Sequence, residues 1–249
     1  MSESTQNTTE QNPFTKPGFI ISAALVVALI AAVIVLFLIP KGDGDAHSGS
    51  APSVNSSASD PYRAGSESVC GLKASSETAL GRAPQTEWAL VGKIAAPNEP
   101  QSYGPGVEEQ GGFRYCYAQS PTGALYAAAN LIAMTSAGNP ELTVKVTEKL
   151  LVPGPGRDAA MKDAATASSS SNGAATSVQF RGFVLKSYSP EKANVDLAME
   201  ASNGVLGHAV LPMEWIDGDW KLAVADSGEM VNDFSQVRDL SGFIPWSGV

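Results

Sequence analysis

Only two cysteines and two histidines occur in these 249 residues, too few soft or imidazole ligands for a structural zinc site. Metal-centred chemistry is therefore not expected, and neither is a cofactor. Excess positive charge is also missing: 25 acidic residues outnumber 16 basic ones, for a net charge of -9. Neutralising many phosphates takes an excess of lysine and arginine, so direct nucleic-acid binding is not expected. No G-x-S-x-G elbow is present, and no glycine-rich phosphate cradle precedes a helix. The two Gly-Pro-Gly tripeptides read only as interruptions of regular structure.

What is present is an apolar run. Phe19 to Ile39 reads FIISAALVVALIAAVIVLFLI, 21 residues without a charge. As a helix it spans roughly 31 Å, about the thickness of a bilayer's hydrocarbon core. A cleaved signal peptide carries a shorter apolar stretch and an A-x-A-like site, which the residues after Leu38 lack. The run is read as a membrane-spanning helix, with a cleaved signal and a buried core helix as the alternatives. Lys16 and Lys41 flank it almost symmetrically, so flanking charge leaves the orientation open. One short tail, one span and a large portion holding both cysteines favour a cytoplasmic N-terminus and an extracytoplasmic C-terminal domain, because an oxidising compartment preserves disulfides.

The chain divides into a disordered cytoplasmic tail (1–18), the span (19–39), a flexible linker (40–66) and an α+β domain (67–249). The linker is Gly/Ser/Ala/Asp-rich and buries too little to offset its ordering entropy. His47 falls there as a solvated residue. Within 70–116, TEWALVGKIAAP and GGFRYCYAQS look like two short strands around a Pro/Gly-rich loop. Joining Cys70 to Cys116 would close a loop of about 46 residues, worth roughly 4 kcal/mol in the chain-entropy model. Two buried free thiols are the alternative.

Ser120-Pro121 marks a helix start, with Ser at the N-cap and Pro in the first turn; the helix should run to about Ala137. Asn139-Pro140-Glu141 marks a second start. Leu142, Val146 and Leu150 fit helical spacing, although Leu142, Val144 and Val146 also alternate as in a strand. A third, alanine-rich helix is expected from Arg157 to about Ala167, followed by a polar loop. From Thr176 the period becomes two, giving strands at 180–188, 193–200, 205–215 and 220–225. Helices followed by an antiparallel meander mean an α+β domain with helices on one sheet face.

The last hairpin, LPMEWIDGDWKLAVA, and this element order resemble the cystatin-like cone fold of the nuclear-transport-factor-like superfamily. More narrowly, Cys70-Gly71-Leu72, Tyr103-Gly104-Pro105, CYAQSPTGALYAAAN, VPGPGR and SGFIPW resemble membrane-anchored proteins of actinobacterial conjugative and plasmid elements. The resemblance implies a cone-shaped core over 117–249 and, by analogy to bitopic cone-fold subunits of type IV secretion channels, a role in assembling a DNA-transfer apparatus. Its implied partners are the bilayer, through 19–39, and membrane proteins of the transfer complex, with room for homo-oligomerisation.

Some cone-fold relatives place a carboxylate and a histidine in an apolar pocket for proton abstraction. The candidates here are His208 with Asp196 or Glu200. His208 shares a strand face with Leu206 and Val210, and a lone strand histidine is more often structural. Asp196 and Glu200 fall on the polar face of their strand, where a solvated face is the simpler reading. Asp217 and Asp219 suit the turn they flank, and Trp88, Trp215, Trp220 and Trp246 read as core packing rather than a ligand platform. No catalytic residue is therefore named. The expectation is a non-enzymatic bitopic scaffold, followed by an extracytoplasmic module for a small ligand or envelope component, with a cone-fold enzyme last.

Overall fold

Helix formation starts where the caps are. In the computed structural model, which describes residues 67–170 and 177–248, the Ser120 hydroxyl accepts the Gly123 amide at the head of α1 (Pro121–Thr135). Asn139 accepts from Glu141 and Leu142 at the head of α2 (Pro140–Leu150). These caps satisfy amides that a helix leaves unpaired and settle 142–150 as helix rather than strand. The third helix, α3, runs Pro155–Ser170. Among the described residues no helix is long and apolar enough to cross a membrane, and residues 1–66, with the span, linker and His47, lie outside them.

Four short strands precede the helices: β1 (Trp88–Val91), β2 (Ile94–Pro97), β3 (Val107–Glu108) and β4 (Arg114–Tyr115). They form two separate hairpins, β1–β2 and β3–β4, where the sequence suggested one strand on each side of a loop. The first turns at Gly92-Lys93, and Gly92 has φ +60°, suited to the first central position of a two-residue hairpin loop.

The main sheet follows, built from β5 (Val178–Tyr188), β6 (Lys192–Ala201), β7 (Leu206–Ile216) and β8 (Asp219–Leu222), with β9 (Ser235–Gln236) and β10 (Ile244–Pro245) at its edges. Its order is β10-β5-β6-β7-β8, all antiparallel, and β9 pairs with β7 beyond the reach of β8. The domain is thus α+β, with the meander where the period-two pattern placed it. The last of the four expected strands ends at Leu222 rather than Ala225, and β9 and β10 were not expected.

Alternation sets the register. Ala193, Val195, Leu197 and Met199 of β6, with Ala209, Leu211 and Met213 of β7, are buried on the face toward α1. α1 lies between this sheet and the β1–β2 hairpin. Thirteen of its fifteen residues are buried, so it is covered on nearly all sides rather than along one stripe. Alanines at 124, 127, 128, 129 and 133 let both layers approach it closely.

Both Gly-Pro-Gly tripeptides do more than interrupt structure. A Cβ on Gly156, in the first turn of α3, would lie 2.3 Å from the Ala225 carbonyl oxygen. On Gly106 it would lie 2.3 Å from the Cys70 sulfur. Gly106→Ala is expected to destabilise the domain by about 1–3 kcal/mol, the usual range for overpacking. A urea unfolding midpoint shifted down at unchanged slope is the check; an unshifted midpoint would mean that the 104–106 loop yields freely.

Candidate functional site

Asp196 sits at the centre of the sheet, with Val184 of β5 and Val210 of β7 as its cross-strand neighbours. It faces away from α1, yet it is only 1% exposed, so the expectation of a solvated face fails for this residue. The cause is the C-terminal segment. β9 lies along one edge of the meander and β10 along the other, and between them the Phe243 ring packs 5.9 Å from the His208 ring, on the face opposite α1. Residues 237–243 therefore strap that face and cover Asp196 and Ala198. Gly182 makes room for the strap, since a Cβ there would come within 3.1 Å of the Phe243 Cβ.

Under this strap the structure joins the predicted pair. Nδ1 of His208 lies 2.7 Å from Oδ1 of Asp196, and Nζ of Lys186 lies 3.1 Å from Oδ2. A carboxylate held in this way orients an imidazole and leaves Nε2 as the ring nitrogen free to exchange a proton. Proton abstraction needs a substrate within hydrogen-bond reach of that nitrogen. Among the described residues no hydroxyl or thiol is hydrogen-bonded to His208, and what packs on the ring is Phe243. The cluster ties β5, β6 and β7 together under the strap. Glu200 stands apart, paired through Oε2 with Nε of Arg181 at 2.7 Å.

A second polar centre went unseen in the sequence. Oδ1 of Asp219 accepts the amides of Tyr117 and Trp220, each at 2.9 Å, and Oδ2 accepts the Cys116 amide at 2.7 Å. Instead of serving its own turn, this carboxylate holds a segment about a hundred residues away. Burial pushes its pKa up to about 6, although three amide bonds favour the anion. The Trp220 indole donates to the Ala118 carbonyl at 2.9 Å, and the Val69 amide to that of Gly218 at 2.8 Å. Here Cys70 and Cys116 are joined, with Cα atoms 6.1 Å apart, so the disulfide expectation holds. Asp217, by contrast, is exposed and lies 3.9 Å from Lys221. Beside Asp219 is a hollow of about 300 Å³ whose wall includes Phe113, Tyr115, Lys145 and Lys221.

The tryptophans pack as expected of core residues. Trp220 and Trp246 are 1% and 5% exposed, while half-buried Trp215 and Trp88 lean on them at 5.4 and 4.7 Å between ring centroids. The Trp246 indole donates to the Thr86 hydroxyl, which also meets the Tyr126 hydroxyl, both at 2.9 Å. Tyr126 lies 3.0 Å from Oε1 of Glu99, and burial pushes its hydroxyl above the ordinary tyrosine range. Above this network opens a cleft of about 650 Å³ whose polar lining includes Gln85, Thr86, Glu99, Gln101 and Ser102. Among the described residues no cluster of His, Cys, Asp and Glu is arranged to hold a metal ion.

Comparison with curated proteins and with solved structures finds no match. Residues 50–245 match the model of a family described as Domain of unknown function (DUF8175). That match takes in the disulfide node, the strap and the whole sheet, and the chain belongs to the DUF8175 family.

Proposed function

We propose that this protein is a non-enzymatic, single-pass membrane scaffold, with residues 19–39 in the bilayer and its α+β domain on the extracytoplasmic side. The observation that carries the reading is the 21-residue charge-free run ahead of a domain with a Cys70–Cys116 disulfide. The resemblance to proteins of conjugative elements makes a DNA-transfer apparatus of the type IV secretion kind the assembly it serves. In this reading the antiparallel sheet packed against α1 is the cone of that fold class. A tether of about 27 residues holds the domain near membrane partners and raises their effective concentration.

Two measurements test this. A reporter enzyme active only outside the membrane, fused after Val249, should be active; activity only from a cytoplasmic reporter would overturn the topology. His208→Ala should leave mating frequency within about two-fold of wild type at equal membrane abundance, because no chemistry is assigned to the imidazole. Loss of transfer at normal abundance would overturn the scaffold in favour of an enzyme.

The 650 Å³ cleft favours one second reading, a module for a small ligand or envelope component. Its glutamine, serine and threonine lining suits a polyhydroxylated ligand, because such side chains donate and accept at once. Titrating the protein with soluble cell-wall glycan fragments while following tryptophan emission tests it, since Trp246 bonds to Thr86 in the cleft wall. An unchanged signal at millimolar glycan removes this reading.

A further inference from the structure

β1 is an outer strand of the two-stranded β1–β2 hairpin, with no third strand on its free edge. Val91 and Ile94 close its two-residue loop, and the Asn98 amide donates to the Glu87 carbonyl at 2.8 Å. Hydrogen bonding alternates along an antiparallel pair, so Glu87, Ala89 and Val91 turn their backbone groups toward β2. Trp88 and Leu90 turn theirs outward. Pro97, which has no amide hydrogen, sits opposite Trp88, as that alternation requires. Among the described residues neither Trp88 nor Leu90 makes a backbone hydrogen bond to any segment beyond the hairpin. Leu90 is 70% exposed, and it shares the wall of a hollow of about 260 Å³ with Gly111 and Gly112. Natural sheets blunt such an edge with charge, proline, a bulge or a very short strand, and of these Trp88-Ala89-Leu90-Val91 has only its short length.

We propose that β1 is a dimerisation edge, pairing antiparallel with β1 of a second copy of this chain about a twofold axis at Leu90. The pattern of charge selects the occupant and the register. Glu87 and Lys93 are the charged residues between Gln85 and Pro97, and neither forms an ion pair among the described residues. Each stands three residues from Leu90. An antiparallel strand centred on Leu90 therefore sets Glu87 of each copy opposite Lys93 of the other, and twofold symmetry repeats the pair. Leu90 meets Leu90 of the second copy, which covers both side chains. Their outward amides and carbonyls bond reciprocally, and the two hairpins become one four-stranded sheet. Centring on Ala89 instead would set Glu87 against Val91 and leave both charges unmatched.

The dimer goes beyond the scaffold reading, and its test uses no transfer readout, so either can fail alone. Leu90→Cys is placed in the full-length chain in its own membrane, which is then treated with a mild oxidant. A disulfide-linked homodimer is expected, at least five-fold above that from Asp226→Cys, an exposed control on another loop. Adding Glu87→Lys or Lys93→Glu to Leu90→Cys should lower cross-linking at least five-fold, because each creates two like-charge contacts. Adding both should restore it, which also shows that the altered hairpin folds. The proposal is overturned if Leu90→Cys links no better than the control, links to a different protein, or is insensitive to the charge changes, or if the double exchange fails to restore linking.

Discussion

Replacing both Cys70 and Cys116 by serine is expected to cost the domain about 4 kcal/mol, the largest effect of any change considered for this chain. The bridge spans 46 residues, and closing a loop of that length removes most of its value from the unfolded ensemble rather than adding it to the folded one. The folded side adds to the loss. Cys116 holds φ at +68°, in the left-handed region that non-glycine residues seldom occupy, and its amide is fixed by Asp219. With the bridge gone, that node and the 68–72 segment are held by hydrogen bonds and by the packing of Leu72 beside Ala118. Urea unfolding of wild type and the double variant should differ mainly in midpoint, and dithiothreitol should bring wild type down to the variant. Two thiols titrating in non-reduced native protein, or midpoints equivalent to within 1 kcal/mol, would remove the bridge from the account.

The parts of this fold that show in the sequence are those whose signals are local. Ser120-Pro121 and Asn139-Pro140 announce helices because capping is settled within three residues. β6 shows because one buried face imposes strict alternation. The Gly92-Lys93 hairpin has a local signal too, a glycine leading a two-residue loop between apolar runs, but the run also fits a single strand continued through the turn. Other features have no local trace. Asp196 looks solvated because alternation puts it opposite the core, and only the arrival of residues 237–243 over that face buries it. β9 and β10, at two residues each, are too short to carry a period and exist because the strap needs anchors at both edges. Asp219 reads as a turn residue because turn chemistry explains an aspartate beside glycine well enough; its partners at Cys116 and Tyr117 lie far away in sequence. Where long-range partners decide a polar residue's role, as at both candidate centres here, pattern alone assigns it to the surface.

Asp219 should also give the domain an unusual response to pH. Its folded pKa is raised from 3.8 to about 6, so between those values the folded chain binds a proton that the unfolded chain does not. Stability from this group is therefore fully present below pH 3.8 and lost as pH rises through 6, a difference of about 3 kcal/mol at 1.36 kcal/mol per pKa unit. The geometry permits the protonated form. Oδ1 accepts two amides, but Oδ2 accepts only the one from Cys116, so a proton fits on its second lone pair without breaking a bond. Carboxylates that the fold holds as anions act in the opposite direction as acid is added, so the effect has to be read as a difference between proteins. Asp219→Asn is the comparison. Its amide nitrogen must face one of the three backbone donors, so at pH 7.5 the variant should be less stable than wild type by about 1–3 kcal/mol, the cost of an unsatisfied buried donor. Moving both to pH 4.5 should widen that gap by about 2 kcal/mol, because wild type takes up its proton and the variant has none to take. A gap that stays constant or narrows between those two pH values would show that three amide bonds outweigh burial and that Asp219 stays ionised in the fold.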